Sequence, residues 1–194
     1  MLSGRFDGHR DGAGVYHEGP KEAVLRGVGR RLKDRGAAVL VVEAGATEEF
    51  GEQTMSCMQQ MQVMVAFCFE NYGEKTSSVY CSYYEVKYAH ENKIPILPLK
   101  LYDGSWPPAP KRTDGTVDEA GATQNAFVFG PSKMYTEFGE PFDETKLDHI
   151  ADFVMASVAG AAAGATERDQ VQRNDAQAAV GQGTGTQSGA AASP

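Results

Sequence analysis

Apolar positions along the first 159 residues follow two spacings, one typical of helices and one typical of buried strands. Helical spacing runs from Lys21 to Arg35, with Gly36 as the expected C-terminal stop, and again from Thr145 to Val158. Unbroken aliphatic runs, which indicate strands buried on both faces, are Ala37–Val42, Val63–Phe69 and Ile94–Leu99. The most hydrophobic run, Val63–Phe69, is predicted to lie at the centre of a sheet.

Two further helices follow from weaker patterns. Methionines at i, i+3 and i+6 indicate a short helix over Thr54–Gln62. Ser77 or Ser78 can cap a third helix that runs to about Asn92, because a serine oxygen accepts a free N–H of the first turn. The face of that helix expected to be buried carries Val79, Tyr83, Val86 and His90.

Two prolines interrupt the third strand. Pro95 and Pro98 each remove a hydrogen-bond donor from the ladder, which favours an edge position or an early end for that strand. A short fourth strand is expected over Ala126–Phe129. Strands that alternate with helices predict an α/β fold with a parallel sheet covered on both sides, whose ligands bind at the carboxyl ends of the strands.

The composition changes at Gly160. From there to Pro194 the chain holds 10 Ala and 6 Gly among 35 residues, with no aromatic residue. Such a segment buries too little apolar surface to offset the entropy of ordering. We therefore expect one domain over 1–159 and a disordered Ala/Gly-rich tail over 160–194. The tail carries three carboxylates and two arginines, a net of −1, which leaves −7 of the total −8 on the domain.

Charge and cysteine content exclude several classes of protein. An acidic chain is not expected to bind nucleic acid, because phosphate contacts need a basic face. The longest apolar run falls far short of the roughly 20 residues that span a bilayer, and the N-terminus lacks the order of a signal peptide. Cys57, Cys68 and Cys81 form no metal-ligand spacing, which predicts a reducing, cytoplasmic compartment with no structural metal. No cofactor is expected.

Four widespread catalytic signatures do not occur in the sequence. There is no GxxxxGK[ST] loop, no GxGxxG after a strand, no GxSxG elbow and no HExxH pair. Gly27 and Gly29 lie inside a helical pattern and suit close packing rather than phosphate binding. The sequence therefore does not favour a P-loop NTPase, a dehydrogenase, an α/β-hydrolase or a zinc protease.

The block from Met61 to Pro110 carries a more specific pattern. In chain order it contains Asn71-Tyr72-Gly73, then Cys81 four residues before Glu85, then Ile94-Pro95-Ile96, and then Trp106-Pro107-Pro108. This order resembles the central part of TIR domains, in which a strand ends in Asn-Tyr, a helix carries an aromatic-Cys pair and then a glutamate, and an Ile-Pro-Ile strand precedes a Trp-Pro loop. The resemblance implies a flavodoxin-like three-layer sandwich with a central parallel sheet.

Flanking segments agree with the family in kind. Arg35-Gly36 precedes the second strand, and the acidic segment Glu43–Gly51, which includes the loop Gly45–Gly51, stands where the family has its BB loop, which mediates self-association and borders the pocket. One departure concerns the start of the domain. Only Met1–Arg5 precedes the long loop Phe6–Gly19, so we expect the first strand to be short.

Some TIR domains hydrolyse NAD+ at the nicotinamide–ribose bond, and their activity depends on the glutamate of the third helix. By position in the motif this residue is Glu85. Cleavage of an N-glycosidic bond passes through an oxocarbenium-like state, which a fixed carboxylate stabilises. A single glutamate in a helix is otherwise an ordinary solvated surface residue.

The resemblance also implies substrate-binding residues, namely Trp106, Arg5, Arg10, Phe50, Cys81 and Tyr84. The tryptophan would stack on a ligand base, and the arginines would reach a pyrophosphate. Each has a simpler alternative role: the tryptophan packs over the sheet edge, the arginines are solvated, and Phe50 lies in a mobile acidic loop. No histidine is placed to activate Cys81 as a nucleophile, so a buried packing role is favoured.

Three functions remain open from the sequence. The first is an NAD+ hydrolase in signalling, which uses Glu85 and self-associates through the Gly45–Gly51 loop. The second is a TIR scaffold without catalysis that signals by binding other TIR domains. The third is a related nucleoside-processing enzyme with the same layers and a glutamate at an N-glycosidic bond. The short first strand favours the scaffold, whereas Glu85 followed by the Trp-Pro loop favours the enzyme.

Overall fold

The computed structural model describes residues 1–41, 49–79, 81–130 and 133–160, without the side chains of residues 49–53 and 57. The chain divides into two units, Met1–Met155 and Ala156–Pro194, and the elements described below belong to the first. Most of the predicted tail, residues 161–194, lies outside the described residues. In the described part of the chain, no helix is long and apolar enough to cross a membrane.

The first unit is built on a four-stranded parallel sheet. The strands in chain order are β1 (Leu2–Ser3), β2 (His9–Arg10), β3 (Tyr16–His17), β4 (Met64–Cys68), β5 (Ile96–Lys100) and β6 (Thr136–Glu137). The sheet has the spatial order β1-β4-β5-β6, while β2 and β3 form a separate antiparallel hairpin. In the central ladder Leu2 lies opposite Val65, and Met64 lies opposite Ile96.

Helices cover both faces of this sheet. The helical segments are α1 (Pro20–Asp34), α2 (Glu49–Gln60), α3 (Ser82–Glu91), α4 (Glu119–Val128) and α5 (144–160); residues 144–155 of α5 belong to the first unit. Alternate β4 side chains point to opposite faces, so Met64 and Ala66 join a core cluster with Val86 of α3 and Val128 of α4. Phe67 lies on the other face, where it and Leu25 of α1 both lie against Gly4. The fold is therefore the predicted α/β three-layer arrangement.

The strongest sequence patterns are confirmed. All five residues of β4 are buried, as expected for a central strand. The helix predicted over Lys21–Arg35 is α1, and Gly36 follows it in the left-handed conformation with φ +84°. The predicted closing helix corresponds to α5, with Ile150 and Val154 on its buried face.

The predicted edge position of the third strand is wrong, because β5 pairs with β4 on one side and β6 on the other. Successive residues of a parallel strand direct their hydrogen bonds to opposite neighbours. The Lys100 carbonyl accepts from Phe138 on the β6 side, so Pro98, two residues earlier, faces that same side. On that side β6 begins only opposite Leu99. Among the described residues no strand lies beside Pro98 there, so the N–H that proline lacks has no acceptor to leave unpaired.

Two of the shorter strand predictions are also wrong. Ala126–Phe129, expected to be a strand, forms the end of α4 and its C-cap. Ala37–Val42, expected to be a buried strand, forms only an isolated parallel bridge between Val41 and Leu2 among its described residues, and these are half-buried or exposed. Val42 lies outside the described residues.

The acidic loop is shorter than expected. The helix predicted over Thr54–Gln62 is α2, which begins at Glu49, so the last three residues of the predicted Gly45–Gly51 loop are helical. Residues 45–48 lie outside the described residues.

The third helix begins later than predicted. Cys81 occupies its N-cap position, so neither Ser77 nor Ser78 caps it. The segment before the helix is instead bound to the start of α4, since the Lys75 backbone N–H donates to the carboxylate of Asp118, the N-cap residue of α4, at 2.6 Å. The late start changes the buried face, which consists of Ser82, Glu85, Val86 and Ala89. Val79 and His90, both expected on the buried side, are exposed.

Candidate functional site

The carboxyl ends of β1, β4 and β5 lie at one edge of the sheet, because the three strands run parallel. The segments that leave this edge are 4–6, 69–75 and 101–106. Ligands of open parallel sheets bind at such an edge. The first turn of α3 reaches the same edge, because its Glu85 contacts Ser3, the last residue of β1.

Glu85 is the central residue of the candidate site. It is only 3% exposed and lies in the first turn of α3, on the same buried face as Val86 and Ala89. The Ser3 hydroxyl donates to Glu85 Oε2 at 2.5 Å, and Ser3 Oγ also lies 2.7 Å from the Tyr72 hydroxyl. Ser3 and Tyr72 are themselves buried, with exposures of 1% and 0%. The three side chains therefore form a buried hydrogen-bonded chain that joins β1, α3 and the segment after β4.

Burial dominates the electrostatics of this chain. It raises the pKa of Glu85 to about 7, against smaller lowering effects from the Ser3 hydrogen bond and the Met1 amino group. Burial also raises the pKa of Tyr72 well above its usual range, and the Glu85 carboxylate acts in the same direction, against a lowering effect of the Ser3 hydrogen bond. Tyr72 is therefore neutral at physiological pH, while Glu85 populates both its protonated and its ionised form.

The segment after β4 is fixed by side chains from two helices. The Gly73 N–H donates to Ser82 Oγ at 3.0 Å, and Gly73 has a φ of +83°. Asn125 of α4 is fully buried and donates through Nδ2 to the carbonyls of Tyr72 and Pro108, at 2.7 and 2.9 Å. Asn125 thus ties the chain that carries Tyr72 to the loop that follows Trp106.

The two candidate arginines lie in different places. Arg5 follows β1 at the site edge and forms an ion pair with Glu74, a buried residue of the segment after β4. Arg10 belongs to the exposed hairpin, where it donates to the Gly14 carbonyl at 2.9 Å and lies over the Tyr16 ring. The structure therefore brings Arg5, but not Arg10, to the strand ends.

Trp106 is half-buried in the segment after β5. Its ring stacks on Tyr135, with centroids 4.4 Å apart, and tilts against Phe129 at 5.6 Å. Phe129 in turn lies 6.1 Å from the Tyr72 ring, which connects Trp106 to the Glu85 chain through two aromatic side chains. The indole Nε1 is buried without a hydrogen-bond partner among the described residues. One ring face of Trp106 is thus already occupied.

The remaining candidates flank Glu85 or lie apart from it. The Cys81 carbonyl accepts from the N–H groups of Tyr84 and Glu85, at 2.9 and 3.3 Å, so Cys81 helps to begin the helix. Tyr84 is half-buried and packs edge-on against Tyr83 at 5.1 Å. Phe50 lies in α2 rather than in a loop, and its side chain is outside the described ones.

Sequence reasoning missed Ser3 and Tyr72 as partners of Glu85. Tyr72 belongs to the motif Asn71-Tyr72-Gly73, and Ser3 lies within the short first segment Met1–Arg5, but neither side chain was assigned a contact from the sequence. A signal did exist, since a polar residue at the carboxyl end of each of two neighbouring parallel strands predicts that the two side chains meet. The burial of both hydroxyls could not be read from the sequence.

The described residues contain no group of three or more His, Cys, Asp or Glu side chains that could hold a metal ion. Comparisons of the chain with protein-family models, with curated proteins and with solved structures found no match.

Proposed function

We propose that the chain is a TIR-type NAD+ hydrolase of the cytoplasm that cleaves the nicotinamide–ribose bond, with Glu85 as its catalytic carboxylate. The observation that carries the proposal is the buried Glu85 carboxyl, held by Ser3 at the ligand-binding edge of a parallel sheet. An ordinary helix glutamate would be solvated and would titrate near its usual value. A buried carboxyl with a raised pKa at such an edge is typical of functional sites.

In the proposed reaction the bond between ribose C1′ and the nicotinamide nitrogen breaks, and its electron pair leaves with neutral nicotinamide. The ribose acquires oxocarbenium character, which the Glu85 carboxylate stabilises. Water then adds to C1′ and gives up one proton, so that ADP-ribose, nicotinamide and a proton are formed. A carboxyl with a pKa of about 7 is suited to receive that proton near neutral pH.

Arg5 and Trp106 hold the dinucleotide in this proposal. The Arg5 guanidinium suits a pyrophosphate, but it pairs with Glu74, so the substrate must compete with that carboxylate. A base would contact the part of Trp106 that Tyr135 and Phe129 leave exposed, since this side chain is only half-buried. Binding is therefore expected to displace the Glu74 contact.

The test is nicotinamide release from NAD+ by purified protein, at high concentration or clustered on beads, in the native chain and in Glu85→Gln. We expect the variant to lose at least about 100-fold in rate, because the stabilising carboxylate is gone. Glu91→Gln is the matched control, since Glu91 lies in the same helix with an exposed side chain, and it should retain full activity. If the clustered native protein releases no more nicotinamide than Glu85→Gln, the hydrolase proposal fails.

One observation favours the second candidate, a TIR scaffold that signals by binding other TIR domains. Glu85 is only 3% exposed and the Arg5 guanidinium is ion-paired, so both groups are occupied by the protein itself. A scaffold predicts self-association that Glu85→Gln leaves unchanged, with no nicotinamide release. Sedimentation of both chains alongside the activity assay distinguishes the two functions.

A further inference from the structure

The hydrogen-bond chain at Glu85 has a definite direction. An ionised carboxylate only accepts hydrogen bonds, and a serine hydroxyl has one proton to donate. Ser3 must therefore give its proton to Glu85 Oε2, at 2.5 Å. The Tyr72 hydroxyl, 2.7 Å from Ser3 Oγ, must then be the donor of the second bond. Every hydroxyl proton in the chain points toward the carboxylate when Glu85 is ionised.

Protonation of Glu85 disturbs this order. When Glu85 is protonated and its O–H donates to Ser3 Oγ, the serine hydroxyl can no longer donate to Glu85. Its proton then points to the Tyr72 hydroxyl. The Tyr72 phenol is fully buried, and among the described residues its hydroxyl is hydrogen-bonded to Ser3. Its own O–H would then lack an acceptor, which is costly for a buried group. The two hydroxyls therefore favour the ionised form of Glu85.

We infer that Ser3 and Tyr72 are positioning residues that hold the Glu85 carboxylate ionised and correctly aimed, and so set the pH at which the site becomes active. The inference rests on the proposed NAD+ hydrolysis for its functional meaning. Its structural part, the coupling between the two hydroxyls and the titration of Glu85, does not depend on any substrate.

Besides the two hydroxyls, few groups near Glu85 affect its ionisation. Burial opposes ionisation of Glu85, and the Met1 amino group favours it. Cys68 lies on the Tyr72 side, and burial keeps its thiol protonated by raising its pKa. Arg5, two residues beyond Ser3, is directed to Glu74. Ser3 is therefore the neutral side chain that lowers the pKa of Glu85, and Tyr72 acts in the inference only through its hydrogen bond to Ser3.

The first measurement is the pH profile of nicotinamide release by the clustered full-length chain. Ser3→Ala removes the donor to Glu85, so the acidic limb should move up by about one pH unit, with a loss of about tenfold near pH 6 that is recovered at pH 9. Tyr72→Phe should move the limb in the same direction by a smaller amount. Ser3→Thr keeps a hydroxyl and should restore the native profile.

The second measurement does not use activity. The Glu85 carboxyl is titrated by NMR in protein labelled with 13C at the glutamate side-chain carboxyl, and its signal is assigned by its loss in Glu85→Gln. Ser3→Ala and Tyr72→Phe should each raise the pKa of this signal, and Ser3→Thr should return it toward the native value.

The two measurements separate the possible failures. A shifted carboxyl titration without nicotinamide release in any chain overturns the proposed function but supports the coupling. An active native chain whose profile and carboxyl titration are unchanged in Tyr72→Phe, and in Ser3→Ala where it folds, overturns the inference.

Discussion

At the scale of single residues, the buried carboxyl of Glu85 makes the stability of the fold depend on pH. The folded state has a pKa of about 7 for this group, against an ordinary value of 4.5, so it binds a proton that the unfolded chain has released between these values. This contribution to stability is fully present below about pH 4.5 and is lost as the pH rises through 7. Over the whole range it amounts to about 3 kcal/mol.

Glu85→Gln should therefore become more stable relative to the native chain as the pH rises. Glutamine keeps an acceptor for Ser3 and carries no charge, so the difference in free energy of unfolding should grow by about 2–3 kcal/mol between pH 5 and pH 8. Urea unfolding of both chains at the two pH values measures it. Glu91→Gln, which changes an exposed carboxylate, should show no such trend, and a pH-independent difference for Glu85→Gln would contradict the assignment.

The sequence was sufficient to select Glu85 but not to describe its environment. The position of Glu85 follows from four short motifs that occur in a fixed order between Met61 and Pro110. The burial of Glu85 depends on Ser3, which lies 82 residues away in the chain. Local patterns carry no information about such a contact until the strand order is known.

At the scale of elements, the start of α1 depends on a side chain from outside the helix. Gly19 at the N-cap has no side chain to offer, and the Asp7 carboxylate instead accepts from the N–H groups of Lys21 and Glu22, at 3.3 and 3.1 Å. The same contact closes the base of the β2–β3 hairpin. Asp7 thus serves as a remote cap for the first turn.

Asp7→Ala should lower the free energy of unfolding by about 1 kcal/mol, because two N–H groups of the first turn lose their acceptor. Asp7→Asn retains one oxygen and should lose about half as much. Urea unfolding near pH 7 provides the measurement. Asp34→Ala, at the opposite end of the same helix, is the control and should cause no loss, since an anion near a helix C-terminus is unfavourable.

Asn125 connects α4 to two loops, and its replacement is expected to lower the free energy of unfolding by more than that of Asp7 does. Asn125→Ala leaves the buried carbonyls of Tyr72 and Pro108 without a donor and should cost about 2–4 kcal/mol. Gln124→Ala removes one partly buried bond to the Tyr83 carbonyl and should cost less than about 1.5 kcal/mol. Equal losses in the two variants would show that Asn125 does not clamp the loops.

Helices and strands with the longest hydrophobic patterns were predicted correctly, whereas several with a short pattern were not. β4 was predictable because seven consecutive apolar residues leave no alternative to a buried central segment. Ala126–Phe129 was mistaken for a strand because a four-residue apolar run at the end of a helix has no period of its own. The start of α3 was mistaken because Lys75 bonds Asp118, a contact between distant segments.

At the scale of the whole molecule, the α/β class was predictable from the alternation of the two spacings, whereas the outer strand positions were not. Pro98 is tolerated inside the sheet only because β6 is two residues long and begins one position later. The length of β6 leaves no signal in the sequence, since Thr136–Glu137 is neither apolar nor alternating. The central strand is thus predictable from the local sequence, whereas the edge strand β6 depends on tertiary contacts.

The first and last helices of the domain are joined by a cluster of ion pairs. Asp148 of α5 lies 3.2 Å from Arg31 in α1 and 2.8 Å from Arg35, the C-cap residue of the same helix. The hydrogen bond from Arg35 lowers the pKa of Asp148, so its contribution to stability is present above the ordinary aspartate pKa of 3.8 and is lost as the pH falls below the lowered value. The carboxylate is half exposed, which makes this contribution sensitive to salt.

Asp148→Asn should lower the thermal midpoint at pH 7 by about 1–3 °C in low salt, because the two arginines lose an exposed partner. In 1 M NaCl the native and variant midpoints should coincide, since screening removes most of the attraction. Asp103→Asn changes an exposed aspartate in the segment after β5 and should shift neither value. A drop that persists in 1 M salt would mean that Asp148 contributes through packing or hydrogen bonding rather than through charge. Charge would then play no part in holding α1 and α5 together at this position.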